Sequence, residues 1–468
     1  MKRIAYSKLQ RMMILCLSFV WCASEEVVAR GEYRLGGDGN TWQAALVETG
    51  QYLVIDPEGQ SVRQVEVAGT PFGAGIDTLI DFAGTAIQAR YVDPQVNMVL
   101  TDPEADKSKV PMVYAGGEIS VSRGGTHGCF FYGQQAPLIK RMVDGDPTTA
   151  QFRPFQQDPN RSPGIGKGNP FLDAIVVDFG ANVPINRIRF YPRLSRQDDA
   201  LLIRDLADPA PSVESFGEDS FTDNFLAWYD IRVGDNSVPY QNGPCGRLPG
   251  RRWVRKSDPL LDVLESTREN LDEVVDLRFP TRYIRYMTVE PYPLRDWEIA
   301  EFEVYGDGFV PKTSYMTQIL DFGQPVNWSK IRWSGDLPEG TRVEIRTRTG
   351  HTPDPQLYFH ENLNGDLEQI SRAEYDRIES IVRLPAEYDV SNWSFWSPPY
   401  QFVAGLRDSS LAAEGWQDGT PLLSPGPSRY LQLHIQLFAT FDATPRIDQL
   451  TLQFSESPSA QEVVGEVW

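Results

Sequence analysis

Cysteine and histidine are scarce in this chain, with four of each in 468 residues. The only imidazoles are His127, His351, His360 and His434, too few and too scattered for a multi-histidine zinc centre. His360-Glu361 lacks the second histidine of a His-Glu-x-x-His pair, and there is no Gly-x-Ser-x-Gly elbow or phosphate-cradling Gly-Lys-Ser/Thr loop. These absences argue against the common hydrolase and nucleotide-dependent classes, although 64 acidic residues make chance carboxylate pairs unavoidable. Basic residues are in deficit: 44 Lys plus Arg against 64 Asp plus Glu, a formal charge of −20. Such a surface repels phosphate backbones and anionic head groups, so neither nucleic acid nor an acidic membrane is an expected partner. The charge is dispersed and accompanied by 11% aromatic residues, which points to folded domains rather than a solvating tail.

What is present begins with an expected export signal in residues 1–24. Lys2, Arg3, Lys8 and Arg11 precede an apolar run from Met12 to Ala23, too short to span a bilayer, with a small-residue cleavage site at Ala23-Ser24. Cys22 follows Phe19-Val20-Trp21, a poor lipid-attachment box, so a secreted, periplasmic or cell-surface location is expected and no membrane span. Removing residues 1–24, with their four basic and no acidic residues, moves the net charge from −20 to −24. Cys129 and Cys245 then remain, and either one disulfide or two separate buried thiols satisfies an exported chain.

Two stretches of sequence carry the same ordered strand signatures. The first reads Val176-Val177-Asp178-Phe179-Gly180, then Arg187-Ile188-Arg189-Phe190, then Arg282-Tyr283-Ile284-Arg285-Tyr286. The second reads Ile319-Leu320-Asp321-Phe322-Gly323, then Lys330-Ile331-Arg332-Trp333, then Arg429-Tyr430-Leu431-Gln432-Leu433. Asp178 to Arg282 is 104 positions and Asp321 to Arg429 is 108. The alternation implies an all-β protein of tandem β-sandwiches. Expected divisions are a β-rich segment at 25–110, one sandwich at 111–306, a second at 307–456 and a tail at 457–468. Residues 31–110 suit either a small separate domain or extra strands on a neighbour. Leu260, Leu261 and Leu264 at helical spacing suggest a short helix within 257–273, and Ser371 to Ile378 suggests another. Gln432, His434 and Gln436 alternate with Leu431, Leu433, Ile435 and Leu437, which predicts a strand with one wet face and His434 at the surface.

The sharpest local motif is Val143-Asp144-Gly145-Asp146-Pro147-Thr148-Thr149-Ala150. Followed by the Asp-Phe-Gly strand, Arg-Tyr-Ile-Arg and Ile299-Ala300-Glu301-Phe302-Glu303-Val304-Tyr305-Gly306, it resembles the discoidin (coagulation-factor C-type) family of galactose-binding-like jelly rolls. The resemblance covers about 115–306. It implies a structural calcium ion held by Asp144, Asp146, Thr149 and Glu301, and those hard oxygen donors suit calcium. The chain departs from the pattern at Gln151-Phe152, where the family usually places tryptophan. The second unit has no Asp-Gly-Asp before Ile319 and hence no matching metal loop.

The resemblance also implies ligand-binding loops at one end of the sandwich. Local candidates are the aromatic cluster His127, Phe130, Phe131 and Tyr132, and Trp253 among arginines, which suit stacking on sugar rings with donors to hydroxyls. Trp393-Ser394-Phe395-Trp396-Ser397 matches the Trp-Ser-x-Trp-Ser element of fibronectin-type receptor domains, and Arg346 and Arg348 stand ready to stack with its tryptophans. The expected function is a non-enzymatic, exported protein that binds an extracellular glycan or cell-surface ligand, with a docking role in a cell-envelope assembly as the rival.

Overall fold

The structure is a computed structural model that describes residues 30–45, 51–55, 62–66, 79–100, 118–123, 141–153, 173–194, 221–235, 259–292, 297–362, 364–378, 383–400 and 419–456. In chain order its strands are β1 (Arg30–Gly36), β2 (Gln51–Ile55), β3 (Val62–Glu66), β4 (Ile80–Ala83), β5 (Ala86–Ala89) and β6 (Tyr91–Val92). Next come β7 (Glu118–Arg123), β8 (Gln151–Arg153), the long β9 (Asp173–Tyr191), β10 (Tyr229–Gly234), β11 (Asp262–Thr267) and β12 (Val275–Pro291). β13 (Trp297–Ile299), β14 (Glu301–Tyr305), β15 (Gly308–Phe309), β16 (Lys312–Met316), β17 (Leu320–Asp336) and β18 (Arg342–Gly350) follow. The last are β19 (Gln356–Glu361), β20 (Leu367–Ile370), β21 (Glu387–Tyr388), β22 (Thr420–Pro421), β23 (Ser428–Phe438) and β24 (Arg446–Glu456). A short helix, α1 (Arg372–Tyr375), starts at Ser371, whose side chain and Glu374 form a reciprocal capping box. Among the described residues no helix is long and apolar enough to cross a membrane.

The fold is all-β, with two sandwich cores. The first sheet runs β11-β10-β12-β9-β14, with β7 also on β9, and encloses Phe179, Ile188, Phe190, Met287 and Phe302. The second runs β16-β23-β17-β24-β5-β4, with β1 on β24, β18 on β23 and β22 on β17, over Trp42, Tyr315, Trp333, Leu433 and Leu450. β1 pairs with β24 along its whole length, so residues before the first sandwich supply strands to the second. The first sandwich is therefore threaded between two portions of the other, entering and leaving as the paired strands β6 and β15.

The repeated signature folds the same way in both units. Asp178 Oδ1 and Asp321 Oδ1 each accept the amide of the glycine two residues on, at 2.8 Å. Gly180 and Gly323 have φ of +85° and +78°, a region that disfavours side chains. Each aspartate also accepts an arginine from the neighbouring strand: Arg285 Nε at 3.0 Å on Asp178, and Arg429 Nε at 2.7 Å on Asp321. Strand register places Tyr286 opposite Asp178 and Tyr430 opposite Asp321. The counterpart of Arg429 is thus Arg285, not the Arg282 that spacing suggested, because β12 takes up its irregular register between Arg278 and Arg282 and again beyond Ile284.

Two further expectations are corrected. Residues 262–267 form the edge strand β11 rather than a helix, since pairing with β10 satisfies one backbone edge and Leu261 packs on Val176 and Tyr286. His434 is not at the surface: it is 9% exposed and Gln432 is 0% exposed, so β23 has no fully wet face. The covering piece is the Trp-Ser-x-Trp-Ser segment. Its Ser394 and Ser397 amides, and the Tyr400 amide just beyond it, donate to the Thr349, Thr347 and Ile345 carbonyls at 2.8–2.9 Å, and the two serine hydroxyls accept the Thr349 and Thr347 amides. The open edge of β18 is thereby closed without a regular strand. Gly350 permits the approach, because a Cβ there would stand 2.3 Å from the Trp393 ring.

Candidate functional site

Asp144, Thr149 and Glu301 converge where the loop after Val143 meets β14. Phe302 N donates to Met142 O at 2.6 Å, which ties the start of this loop to the closing strand. Asp144 Oδ1 accepts the Asp146 amide at 3.0 Å. Thr149 Oγ1 lies 3.0 Å from Asp144 Oδ2, 3.1 Å from Arg141 O and 3.3 Å from Asp146 O. One hydroxyl proton serves one of these acceptors, so the pocket is rich in oxygen and poor in protons. The Asp146 carboxylate turns instead to the Thr148 amide and hydroxyl, at 2.9 and 2.6 Å, leaving its carbonyl facing Thr149.

Glu301 is buried, and its Oε1 has no hydrogen-bond partner. Burial, with the charges of Asp144 and Glu303 next, pushes its carboxyl up to about 8. Burial also raises Asp144, against hydrogen bonds from the Asp146 amide and Thr149. Arg141 feels the Asp144 charge, but burial lowers its own pKa. A proton or a cation must therefore reconcile two neighbouring carboxylates. The donor set fits calcium: the Asp144 and Glu301 carboxylates, the Thr149 hydroxyl, and the Arg141 and Asp146 carbonyls. Among the described residues no three His, Cys, Asp or Glu side chains form a metal cluster by themselves, so hydroxyl and backbone oxygens would have to complete the shell.

The other candidates, His127, Phe130, Phe131, Tyr132 and Trp253, lie outside the described residues, as do Cys129 and Cys245. Sequence reading overlooked a different aromatic group. Trp228 precedes β10, Arg268 follows β11 and Tyr292 follows β12, and antiparallel pairing brings these three strand ends to one rim. Trp228 and Tyr292 rings lie 5.2 Å apart at 31°, and Arg268 Cζ stands 5.7 Å from the Trp228 ring. Tyr292 N donates to Trp228 O at 2.9 Å, which locks the two strand ends together. Asp230 accepts Tyr292 Oη at 3.3 Å and Ser266 Oγ at 2.7 Å. Half-buried rings beside an exposed guanidinium and a carboxylate offer apolar faces with donors and acceptors at their edge. The available signal was an aromatic residue at two of the three strand ends, Trp228 before Tyr229 and Tyr292 between two prolines.

The rim and the acidic loop connect through the core. Tyr229 meets Phe190 edge-on at 5.2 Å, and Phe190 stacks at 6.3 Å on Phe302, the neighbour of Glu301.

No protein-family profile matches the chain, and no curated protein matches it. Solved structures similar to it include chitosan-binding module 1 from a chitosanase/glucanase of Paenibacillus sp. IK-5, at 15% identity over 45% of this chain and 100% of that one, TM-score 0.23. A Clostridium perfringens CBM32 module in complex with GalNAc-β-1,3-galactose shares 11% identity over 41% of this chain and 95% of its own, TM-score 0.22. A Streptococcus pneumoniae fucose-binding module shares 12% over 47% and 100%, TM-score 0.22. The sandwich architecture is shown by the strand pairing of the chain itself.

Proposed function

We propose that this chain is an exported carbohydrate-binding protein that works at or beyond the cell surface by binding rather than catalysis. The observation that carries the reading is the Trp228-Tyr292 pair with Arg268 and Asp230 at one rim of the first sandwich. Sugar CH faces stack on such rings while hydroxyls bond to the guanidinium and carboxylate. Calcium would supply charge neutralisation between the Asp144 and Glu301 carboxylates. That neutralisation pins the 144–149 loop to β14, and the ring contacts from Phe302 through Phe190 to Tyr229 transmit the rigidity to the rim.

A glycan array with calcium tests the reading. Wild type retains a restricted set of neutral saccharides, and Trp228→Ala weakens them about tenfold, equivalent to about 1.4 kcal/mol. Equal, weak retention of every polysaccharide, unchanged by Trp228→Ala, overturns it and favours a docking role for the sandwiches.

A further inference from the structure

The second sandwich carries a cationic shelf that plays no part in the reading above. β16, β23 and β18 lie side by side, and their register forms rows across the sheet. Lys312, Phe438 and Arg342 form the first row, Ser314, Gln436 and Glu344 the second, and Met316, His434 and Arg346 the third. Lys312 Nζ is 5.4 Å and Arg342 Cζ 3.9 Å from the centroid of the same Phe438 ring. Two strand spacings separate the first and last residue of a row, about 10 Å, a span comparable with a disaccharide.

Three cations share these rows with one carboxylate. Glu344 Oε1 pairs with Arg342 at 2.5 Å and its Oε2 with Arg346 at 3.5 Å. Lys312 is lowered from its ordinary pKa, by burial first, with Arg342 and Arg346 adding to the effect against Glu344. Three cations against one carboxylate give this patch a local net positive charge in a chain of net charge −20. Its floor is the half-exposed Gln436 and Phe438, and Gln436 Nε2 donates to Ser314 Oγ at 3.4 Å.

We propose that this shelf binds a saccharide bearing a carboxylate or a sulfate. The anionic group sits between Lys312 and Arg342, where guanidinium and ammonium donors give charge-assisted hydrogen bonds. Gln436 and Ser314 meet the sugar hydroxyls. The surrounding acidic surface, whose field reaches about one Debye length of about 8 Å before salt screens it, repels the rest of a long polyanion lying along it and favours a short ligand with an isolated charge. This site stands on a different sandwich from the Trp228 rim, so either can fail alone.

The test is calorimetric titration of the full chain with matched neutral, uronate-bearing and sulfated oligosaccharides and a single-stranded DNA oligonucleotide. The expected result is that at least one acidic sugar binds about tenfold more tightly than its neutral counterpart. The paired change Lys312→Ala with Arg342→Ala abolishes that preference and leaves Trp228-dependent neutral binding intact. The uronate and sulfate arms identify the anion. Should the paired variant fail to fold, Lys312→Gln alone, which keeps most of the side chain's length and removes only its charge, must reduce the preference about threefold. No acidic preference, a preference that survives these changes, or DNA binding as tight as the acidic sugar overturns the proposal.

Discussion

The two sandwiches solve the same local problems with opposite degrees of burial. Asp178 and Arg285 in the first are each 10% exposed at the side chain, whereas Asp321 and Arg429 in the second are 45% and 41% exposed. The reverse holds one strand away. Register equates Arg232 with Arg348, since Gly234 and Gly350 face the equivalent tyrosines 286 and 430. Arg232 is only partly covered and lies 3.6 Å from Glu290. Arg348 is buried between Trp393 and Trp396, with Cζ 5.5 and 4.6 Å from their rings, and donates twice to Gln432 Oε1. A shared plan thus fixes where polar groups stand, while the covering segment decides which of them matter for stability.

The largest test of that statement is Arg348→Ala. It removes the cation between two tryptophans and leaves the buried Gln432 oxygen without its donor, at a cost of about 3 kcal/mol or more. Scanning calorimetry should show the second sandwich melting roughly 6–12 °C lower, with the first unmoved. Arg232→Ala, at the equivalent position, should lower only the first transition, because it takes the guanidinium from beside the buried Glu290 carboxylate. A second transition unmoved by Arg348→Ala would mean that the tryptophan cover contributes no burial energy.

The aspartate turns invert the ranking. Asp178→Asn leaves Arg285 buried beside a neutral group and should cost about 2–3 kcal/mol, read as a fall in the first transition. Asp321→Asn should leave the second transition almost where it was, because solvent screens that pair. A comparable fall in both would show that the exposed clamp is not screened.

Sequence alone made the repeat legible because Asp-Phe-Gly needs a left-handed glycine and leaves a fixed signature. From Asp178 to Phe190 and from Asp321 to Trp333 the spacing is an identical 12, and both Phe190 and Trp333 are core residues. The arginine register was not legible, because the irregular pairing of β12 shifts it without changing composition. Nor was the buried polar face of β23. Period-two alternation reports which residues share a face, but not whether a distant segment such as 393–400 covers that face. The acidic loop was recognisable by its order of residues. The Trp228 rim was not, since it is assembled from three strand ends whose proximity only the sheet reveals.

Glu301 and Gln449 occupy one position of the shared plan with different chemistry. Glu301 lies opposite Tyr191 and Gln449 opposite Ser334, equivalent positions one residue beyond Phe190 and Trp333. In the second sandwich the loop facing this position is 36–40, where Gln449 Nε2 donates to Asp38 Oδ1 at 2.6 Å and Arg34 Nη1 lies 3.2 Å from Asp38. An amide and a guanidinium there do what the first sandwich is proposed to do with calcium. Chelation should therefore lower only the first transition, by about 2.7 kcal/mol if calcium had been present at a hundredfold excess over its dissociation constant. Glu301→Gln should remove that sensitivity by copying the second sandwich. In chelator the raised Glu301 pKa means the folded state holds its proton longer than the unfolded one. Stability of the first sandwich is then greatest below about 4.5 and is lost as pH rises toward about 8. Chelator-insensitive melting at pH 8 would remove calcium from the account.

The second sandwich should answer pH in the opposite sense, and more gently near neutrality. Burial, with Arg346, Lys312 and Arg348 nearby, lowers His434 to about 3. The unfolded chain takes up the proton near 6.5 while the folded one resists it, so stability is full above 6.5 and declines as pH falls toward 3. At pH 5.5, one unit below the unfolded value, the loss is about 1.4 kcal/mol. His434→Gln should flatten this decline in the second transition while leaving the Glu301-dependent decline of the first, which runs the other way. If the two transitions instead move together with pH, the sandwiches unfold as one unit and their different burial has no separate thermodynamic consequence.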